Sequence, residues 1–389
     1  MKSQIFRFEL TFLALLMLST VANGAPKSKT RDADSSYVIT GYVFGHRAKL
    51  TTGMIKARKL TRINYAFGNI KQGKVVLQNA ADGYNLRVLD SLRQLNPHLK
   101  ILLSVGGWAW SNNFSDAVLT HASRLKFVRS AVNLVKKYNL DGIDIDWEYP
   151  GQIGDGNIFR PADKQHFTRM LKLLRKKFKR LQAKNQERDH YLITIAAGAN
   201  HKYLVHTNMR RVQQYIDDVN LMTYDYYTGA SDSTGFHTNL FASPLDVNRK
   251  SVANSVKEFI RAGVPADKIV IGAAFYGHGW SGVQPLDHGR YKPYAGPTHS
   301  YSFDTLQKKY INKKGYTRYW DSWAEAPYLW NAKSQTFITY DDLQSIAAKD
   351  NFIKKHNLAG IMFWRYRGNK DGILLHEMYQ SLHYLKPKK

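Results

Sequence analysis

The chain has 389 residues, with 57 Lys and Arg against 30 Asp and Glu, for a formal net charge of +27. Hydrophobic residues make up 43% and aromatics 13%, so a sizeable core can form and a wholly disordered chain is excluded despite the charge. There is no Cys, which excludes disulfide scaffolds, thiol nucleophiles, CxxC redox chemistry and Cys-ligated zinc.

The chain opens with a basic start at Lys2 and Arg7, an apolar run from Leu10 to Leu18, and a small-x-small stretch at Ala22-Asn23-Gly24. This order is expected of a secretory signal peptide over residues 1–24, although Glu9 is unusual in one. The apolar run is about half of the roughly 20 residues that a membrane span requires. No later segment is long and apolar enough to span, so no membrane insertion is expected. The mature chain is expected to be soluble and secreted, extracellular or periplasmic. Residues 25–36, APKSKTRDADSS, are polar and expected to be loose.

From residue 37 to about 385 short apolar runs recur. They are YVITGYVFG (37–45), RINYAFGNI (62–70), KILLSVGGW (100–108) and DGIDIDWEY (141–149). Then come YLITIAAGAN (191–200), VNLMTYDYY (219–227), KIVIGAAFYG (268–277) and LAGIMFWRY (358–366). Each is rich in β-branched and aromatic residues and bounded by turn or polar residues. Helical periodicity fills several of the gaps, as at 121–139 and 249–263. Strands alternating with helices predict parallel βα units. Eight such units predict a closed (β/α)8 TIM barrel, with a doubly wound open sheet as the alternative. The gap between the seventh and eighth runs is far longer than a barrel unit needs. A small α+β insertion is expected there, over about 278–337. Its aromatics, among them Trp280, Tyr291, Trp320, Trp323 and Trp330, form its own core or wall a cleft.

Acids are scarce in this chain, yet four fall within 141–148, where chance would put about 0.6. Side chains alternate along a strand, so Asp144, Asp146 and Glu148 share one face while Ile143, Ile145 and Trp147 share the other. The apolar face is expected to pack on helices. The acidic face would point into the barrel, with Glu148 at the carboxyl end, where barrel active sites lie. Like charges stacked in a low-dielectric interior should raise at least one pKa, which is what a general acid requires. Asp141 has the wrong parity for the interior. The rivals are an ion-pair network with the many Lys and Arg, and a Mg or Ca site. The alternating Ile, Ile and Trp argue against the first. The lack of interleaved His and of calcium-loop spacing argues against the second.

DGIDIDWEYP carries a DxxDxDxE pattern that resembles the signature of family 18 glycoside hydrolases, the chitinase family. SVGGW (104–108) is similar to the family's third-strand element, and MTYDYY (222–227) to its sixth-strand motif. FYGHGW (275–280) and FITYDD (337–342) are similar to the elements that open and close its insertion. The resemblance implies a (β/α)8 barrel acting on N-acetylglucosamine polymers, and it supersedes the open sheet. It implies a retaining, substrate-assisted mechanism in which the acetamide of the substrate is the nucleophile. Glu148 is then the general acid and base, Asp146 orients the acetamide and stabilises the cationic intermediate, and Asp144 tunes Asp146. Met222, Tyr224 and Asp225 match residues that floor the site and hydrogen-bond the acetamide. Trp364 matches the Trp that stacks beneath the sugar, and Trp108 and Tyr42 are further substrate contacts. Met222 and Trp364 also read as core residues, and Ser104 with its Gly pair reads as strand packing. Two positions depart from the family pattern: Arg365 stands where relatives often carry an acid, and His278 where they carry Arg.

The expected activity is hydrolysis of β-1,4 links in chitin by a monomer, with neither cofactor nor metal. The alternatives are an endo-β-N-acetylglucosaminidase acting on glycans and a lectin that binds chitin without cutting it. The aromatic insertion favours long chitin if it deepens the cleft, and the presence of Glu148 argues against the lectin. Basic charge is densest over 160–190, with 11 Lys or Arg against 3 acids. Its spacing there reads as the solvated face of one barrel helix. No recognition motif accompanies it, so no specific nucleic-acid function is expected. Loose attraction to anionic surfaces remains a secondary property.

Overall fold

The computed structural model describes residues 37–45, 49–184 and 190–383. The stretches expected to form the signal peptide and the loose segment lie outside the described residues.

Eight parallel strands close into a barrel. They are β1 (Val38–Phe44), β2 (Arg62–Lys71), β4 (Lys100–Gly106), β5 (Gly142–Asp146), β6 (Leu192–Gly198), β7 (Asp218–Met222), β8 (Ile269–Ala274) and β14 (Gly360–Trp364). Each pairs with the next, and β14 pairs back with β1. A further strand, β3 (Lys74–Leu77), runs antiparallel on the end of β2. All eight apolar runs picked out in the sequence become barrel strands. Their outward residues, such as Ile63, Ile101, Ile143, Ile195 and Ile271, are fully buried in one cluster with the helices. Helix Asp163–Lys184 shows why: Phe167, Leu171, Leu174 and Phe178 recur at helical spacing and are buried. The basic residues Arg169, Lys172, Lys176 and Lys179 fall on its exposed face.

The barrel interior departs from the usual filling of branched apolar side chains. Thr40, Asn64, Ser104, Asp144, Thr194 and Asn220 are polar and wholly inaccessible. Below them Arg62 pairs with Asp218 at 2.6 Å.

Between β8 and β14 lies the expected insertion. It is a five-stranded antiparallel sheet of β9 (Tyr276–Trp280), β10 (Thr298–Ser302), β11 (Thr317–Asp321), β12 (Ala326–Asn331) and β13 (Thr336–Tyr340), with helix Phe303–Lys309. Trp280, Tyr328, Trp330 and Phe337 bury one another together with Tyr227 and Phe236. Trp323, by contrast, is 72% exposed. The sheet is anchored through Asp341. This buried carboxylate accepts from Lys349 Nζ at 2.6 Å, from the backbone N–H of Ala274 at 2.9 Å and from Ser345 Oγ at 2.7 Å. Thr238 Oγ1, on the connection that follows β7, donates to it at 3.2 Å.

Candidate active site

The acids of β5 lie as their alternation predicts. Asp144 is wholly buried and accepts four hydrogen bonds: from Tyr42 Oη (2.9 Å), Ser104 Oγ (2.7 Å), Thr194 Oγ1 (2.5 Å) and Asn220 Nδ2 (3.1 Å). Burial pushes its carboxyl up in pKa, and the hydroxyl donors pull against that rise. Two residues on, Asp146 is 4% exposed, and its Oδ1 is buried without a hydrogen-bond partner. Burial pushes Asp146 well above the carboxylate range, and the charges of Glu148 and Asp144 add to the shift. Burial also pushes Glu148 up to about 7; the Tyr149 hydroxyl opposes the rise and the charge of Asp225 increases it. Stacked charge was the cause expected from sequence, whereas burial is the larger one. Asp141 has turned the other way, as its parity requires: it accepts from the Ile101 N–H at 2.7 Å and pairs with Arg93 at 2.5 Å.

The loop after β4 fixes the end of β5. Ser111 Oγ accepts from the Glu148 N–H at 2.8 Å and donates to the carbonyls of Gly107 and Asp146. The Gly107 N–H donates to the Asp146 carbonyl at 2.8 Å. The fit depends on glycine at 106. There φ is +109°, and an added Cβ would lie 2.2 Å from the Asp146 carbonyl oxygen. The Gly pair is therefore a site requirement as well as a packing one, and Ser104 holds Asp144.

A cavity of about 1110 Å³ opens over the carboxyl ends of the strands. Eight of the nine candidate residues line it: Tyr42, Trp108, Asp146, Glu148, Met222, Tyr224, Asp225 and Trp364. Asp144 sits beneath. Trp364, at the end of β14, stacks on Phe67 with centroids 5.6 Å apart and meets Tyr42 edge-on at 5.9 Å. Trp108 is 53% exposed, whereas Tyr42 is 2% exposed and its hydroxyl is committed to Asp144. Tyr42 therefore supports the acids more than it offers surface to a ligand. Tyr224 Oη lies 3.9 Å from Met362 Sδ. No insertion residue lines the cavity among those described, so the insertion's aromatics do not wall the cleft: Trp280, Tyr291 and Trp330 belong to its own core, whereas Trp320 and Trp323 belong to neither. The opposite wall is polar, with Asn248, Lys250, Asn254 and Glu258. It comes from the connection over 223–251 and the helix that follows. Sequence reasoning missed this wall, although a connection of that length between β7 and the next helix was a usable signal.

Asp225 opens onto the same cavity. Its Oδ1 accepts from Tyr276 Oη at 2.8 Å, and His278 Nε2 lies 2.7 Å away. His237 Nδ1 is 3.7 Å away. Burial raises the pKa of Asp225, but His237 and His278 together hold it well below the carboxylate range. Burial pushes His237 down to about 4, so it is neutral near pH 7. His278 thus fills its unusual position as a partner of Asp225. Arg365, at the other departure, lies over the Phe44 ring at 5.2 Å.

The model of the family described as Glycosyl hydrolases family 18 matches residues 38–368. Chitinase A1 of Niallia circulans is 35% identical over 436 residues, covering 95% of this chain and 62% of its own length. The chain thus spans less than two thirds of that relative. Chitinase B of Serratia marcescens is 30% identical, with 82% of this chain and 75% of the relative covered. Among solved structures, a family 18 N-acetylglucosaminidase from Paenibacillus barengoltzii matches with a TM-score of 0.83 at 43% identity. That match covers 89% of this chain and 100% of the other.

Proposed function

The chain belongs to glycosyl hydrolase family 18, and on that premise we propose that it is a chitinase cleaving β-1,4 links between N-acetylglucosamine units by substrate assistance. The observation that carries this is the pairing of a carboxyl near pKa 7, Glu148, with the unpartnered buried Oδ1 of Asp146 in one cavity. In the first step the acetamide oxygen attacks the anomeric carbon as the glycosidic C–O bond breaks. Glu148 gives its proton to the departing oxygen. Asp146 Oδ1 accepts the acetamide N–H, which satisfies both groups and stabilises the oxazolinium cation. Water then attacks the same carbon, Glu148 takes a proton from it, and the ring opens back to the acetamide with retained configuration. Asp144 keeps its hydrogen-bonded place behind Asp146. Tyr224 and Asp225 border the acetamide, and Trp364 lies beneath the sugar, where a flat indole suits an apolar sugar face. Trp108 is a more distant contact. The protein acts as a monomer, outside the cell, where such polymers are met.

A second reading is release of N-acetylglucosamine from short oligomers. The likeness to an N-acetylglucosaminidase supports it, as does a cavity to which the insertion contributes no wall. A product time course on N-acetylglucosamine oligomers and colloidal chitin, with Glu148→Gln as control, tests both. Internal cleavage of long chains is expected, and monomer as the first product from one end would favour the second reading. Glu148→Gln should lower turnover by about 10²–10⁴-fold. Near-normal turnover in that variant would sink the mechanism.

A further inference from the structure

Asp225, His237 and His278 each offer one metal-ligating atom, and the three atoms lie within 4.8 Å of one another. Two come from the connection after β7 and one from β9. Tetrahedral zinc with bonds of about 2.0–2.1 Å needs donors roughly 3.3 Å apart. The distances from Asp225 Oδ1, 2.7 Å to His278 Nε2 and 3.7 Å to His237 Nδ1, bracket that spacing. His237 is wholly buried, and neither ring nitrogen has a hydrogen-bond partner. Such a group is costly to bury unless something binds it. Its segment is held in place: the His237 N–H donates to Thr339 Oγ1 at 3.3 Å and its carbonyl accepts from the Tyr226 N–H at 3.2 Å. Asp225 faces the cavity, so solvent can supply a fourth ligand.

We propose that Asp225, His237 and His278 form a binding site for a late first-row divalent cation, with zinc as the test case, and that its occupation switches hydrolysis off. Two imidazoles and one carboxylate suit zinc, nickel or copper over magnesium or calcium. Three protein ligands with an open fourth position is the arrangement zinc accepts in non-structural sites. Tyr276 Oη, already on Asp225, would orient the carboxylate from outside. Binding stands on this geometry alone. The inhibition rests on the proposed role of Asp225 beside the acetamide, because a bound cation removes that carboxylate from the substrate.

The test uses the full chain freed of metal by a chelator. Cobalt(II) is titrated in and followed by its visible d–d absorption, and zinc is then added to displace it. Zinc inhibition of oligomer cleavage is measured in parallel, with His237→Phe and His278→Arg as variants and circular dichroism as a check on folding. His278→Arg can still donate to Asp225 but offers no ligand, and it serves if His237→Phe does not fold. One equivalent of cobalt should bind, zinc should displace it, and chelator should restore activity. Losing an outer-shell partner already costs about 10–100-fold in affinity, so each variant should bind zinc at least about 100-fold more weakly. Absence of a cobalt band in the wild type overturns the site, as does equal zinc inhibition in both variants. Binding without inhibition overturns the switch. If the chain proves inactive on these oligomers, the cobalt titration still decides the site independently of the proposed activity.

Discussion

Glu148 is an acid kept in surroundings that disfavour its charge, and this has one consequence for rate and another for stability. A general acid must carry its proton, so turnover should fall as pH rises through about 7, the value to which burial pushes this carboxyl. Stability follows the same sign. Below pH 4.5 the group is protonated folded or unfolded and costs nothing; above about 7 the folded state must bury a charge. The rise from 4.5 to about 7 corresponds to on the order of 3 kcal/mol. Glu148→Gln should therefore lose about 10²–10⁴-fold in turnover, yet melt higher than the wild type at pH 8 and no higher at pH 4. Equal melting temperatures at pH 8 would mean that the burial is not felt. The acid itself was legible in the sequence because strand parity is a local property. His237 was not, since only the folded connection after β7 brings it to Asp225.

At the scale of elements, the strand positions were readable and their register was not. Eight apolar runs announced the eight barrel strands, because each had to be buried against helices. Which residues stand side by side depends on pairing: Ser104 aligns with Asp144, and Asp144 with Thr194. That row of neighbours makes donors to Asp144 of Ser104, which in the sequence reads as strand packing, and of Thr194, which carries no signal there. The insertion's aromatics left two outcomes open, since a sheet's own core and a cleft wall have the same composition. The turn after β4 offers the sharpest test at this scale. Gly106→Ala must place a Cβ 2.2 Å from the Asp146 carbonyl oxygen at a backbone angle that disfavours it. Strain of roughly 1–3 kcal/mol or more is expected, with a lower melting temperature and a loss in kcat as Asp146 shifts. Gly53→Ala, where an added Cβ meets nothing within 4 Å, is the control and should change neither. A Gly106→Ala enzyme with wild-type kcat and melting temperature would dissociate this turn from the site.

For the molecule as a whole, the basic charge lies mainly on the outside among the described residues, where only Arg62, Arg124, Arg175 and Lys349 of the Lys and Arg are buried. Helix Asp163–Lys184 turns its basic stripe to solvent, while Arg175 is drawn inward to Asp217 at 2.6 Å. The proposed substrate is uncharged. Cleavage of soluble N-acetylglucosamine oligomers should therefore be nearly flat from low salt to about 1 M, where the screening length is about 3 Å. Adsorption to an anionic surface should fall away over the same range. A steep salt dependence of kcat/KM on neutral oligomers would mean that the surface charge takes part in catalysis. The anchor at Asp341 bears on how this protein can be altered. It ties four parts together: the end of β8, the start of the helix after β13, Lys349 on that helix, and Thr238 beside His237. Lys349 is itself wholly buried, so trimming it would strand a carboxylate in the interior. Grafting a different insertion onto this barrel would therefore also disturb the connection after β7, which carries His237 and the cavity-lining Asp225, unless the graft brought a matching acid and lysine. A swap intended to change only the periphery would be read out at the sugar.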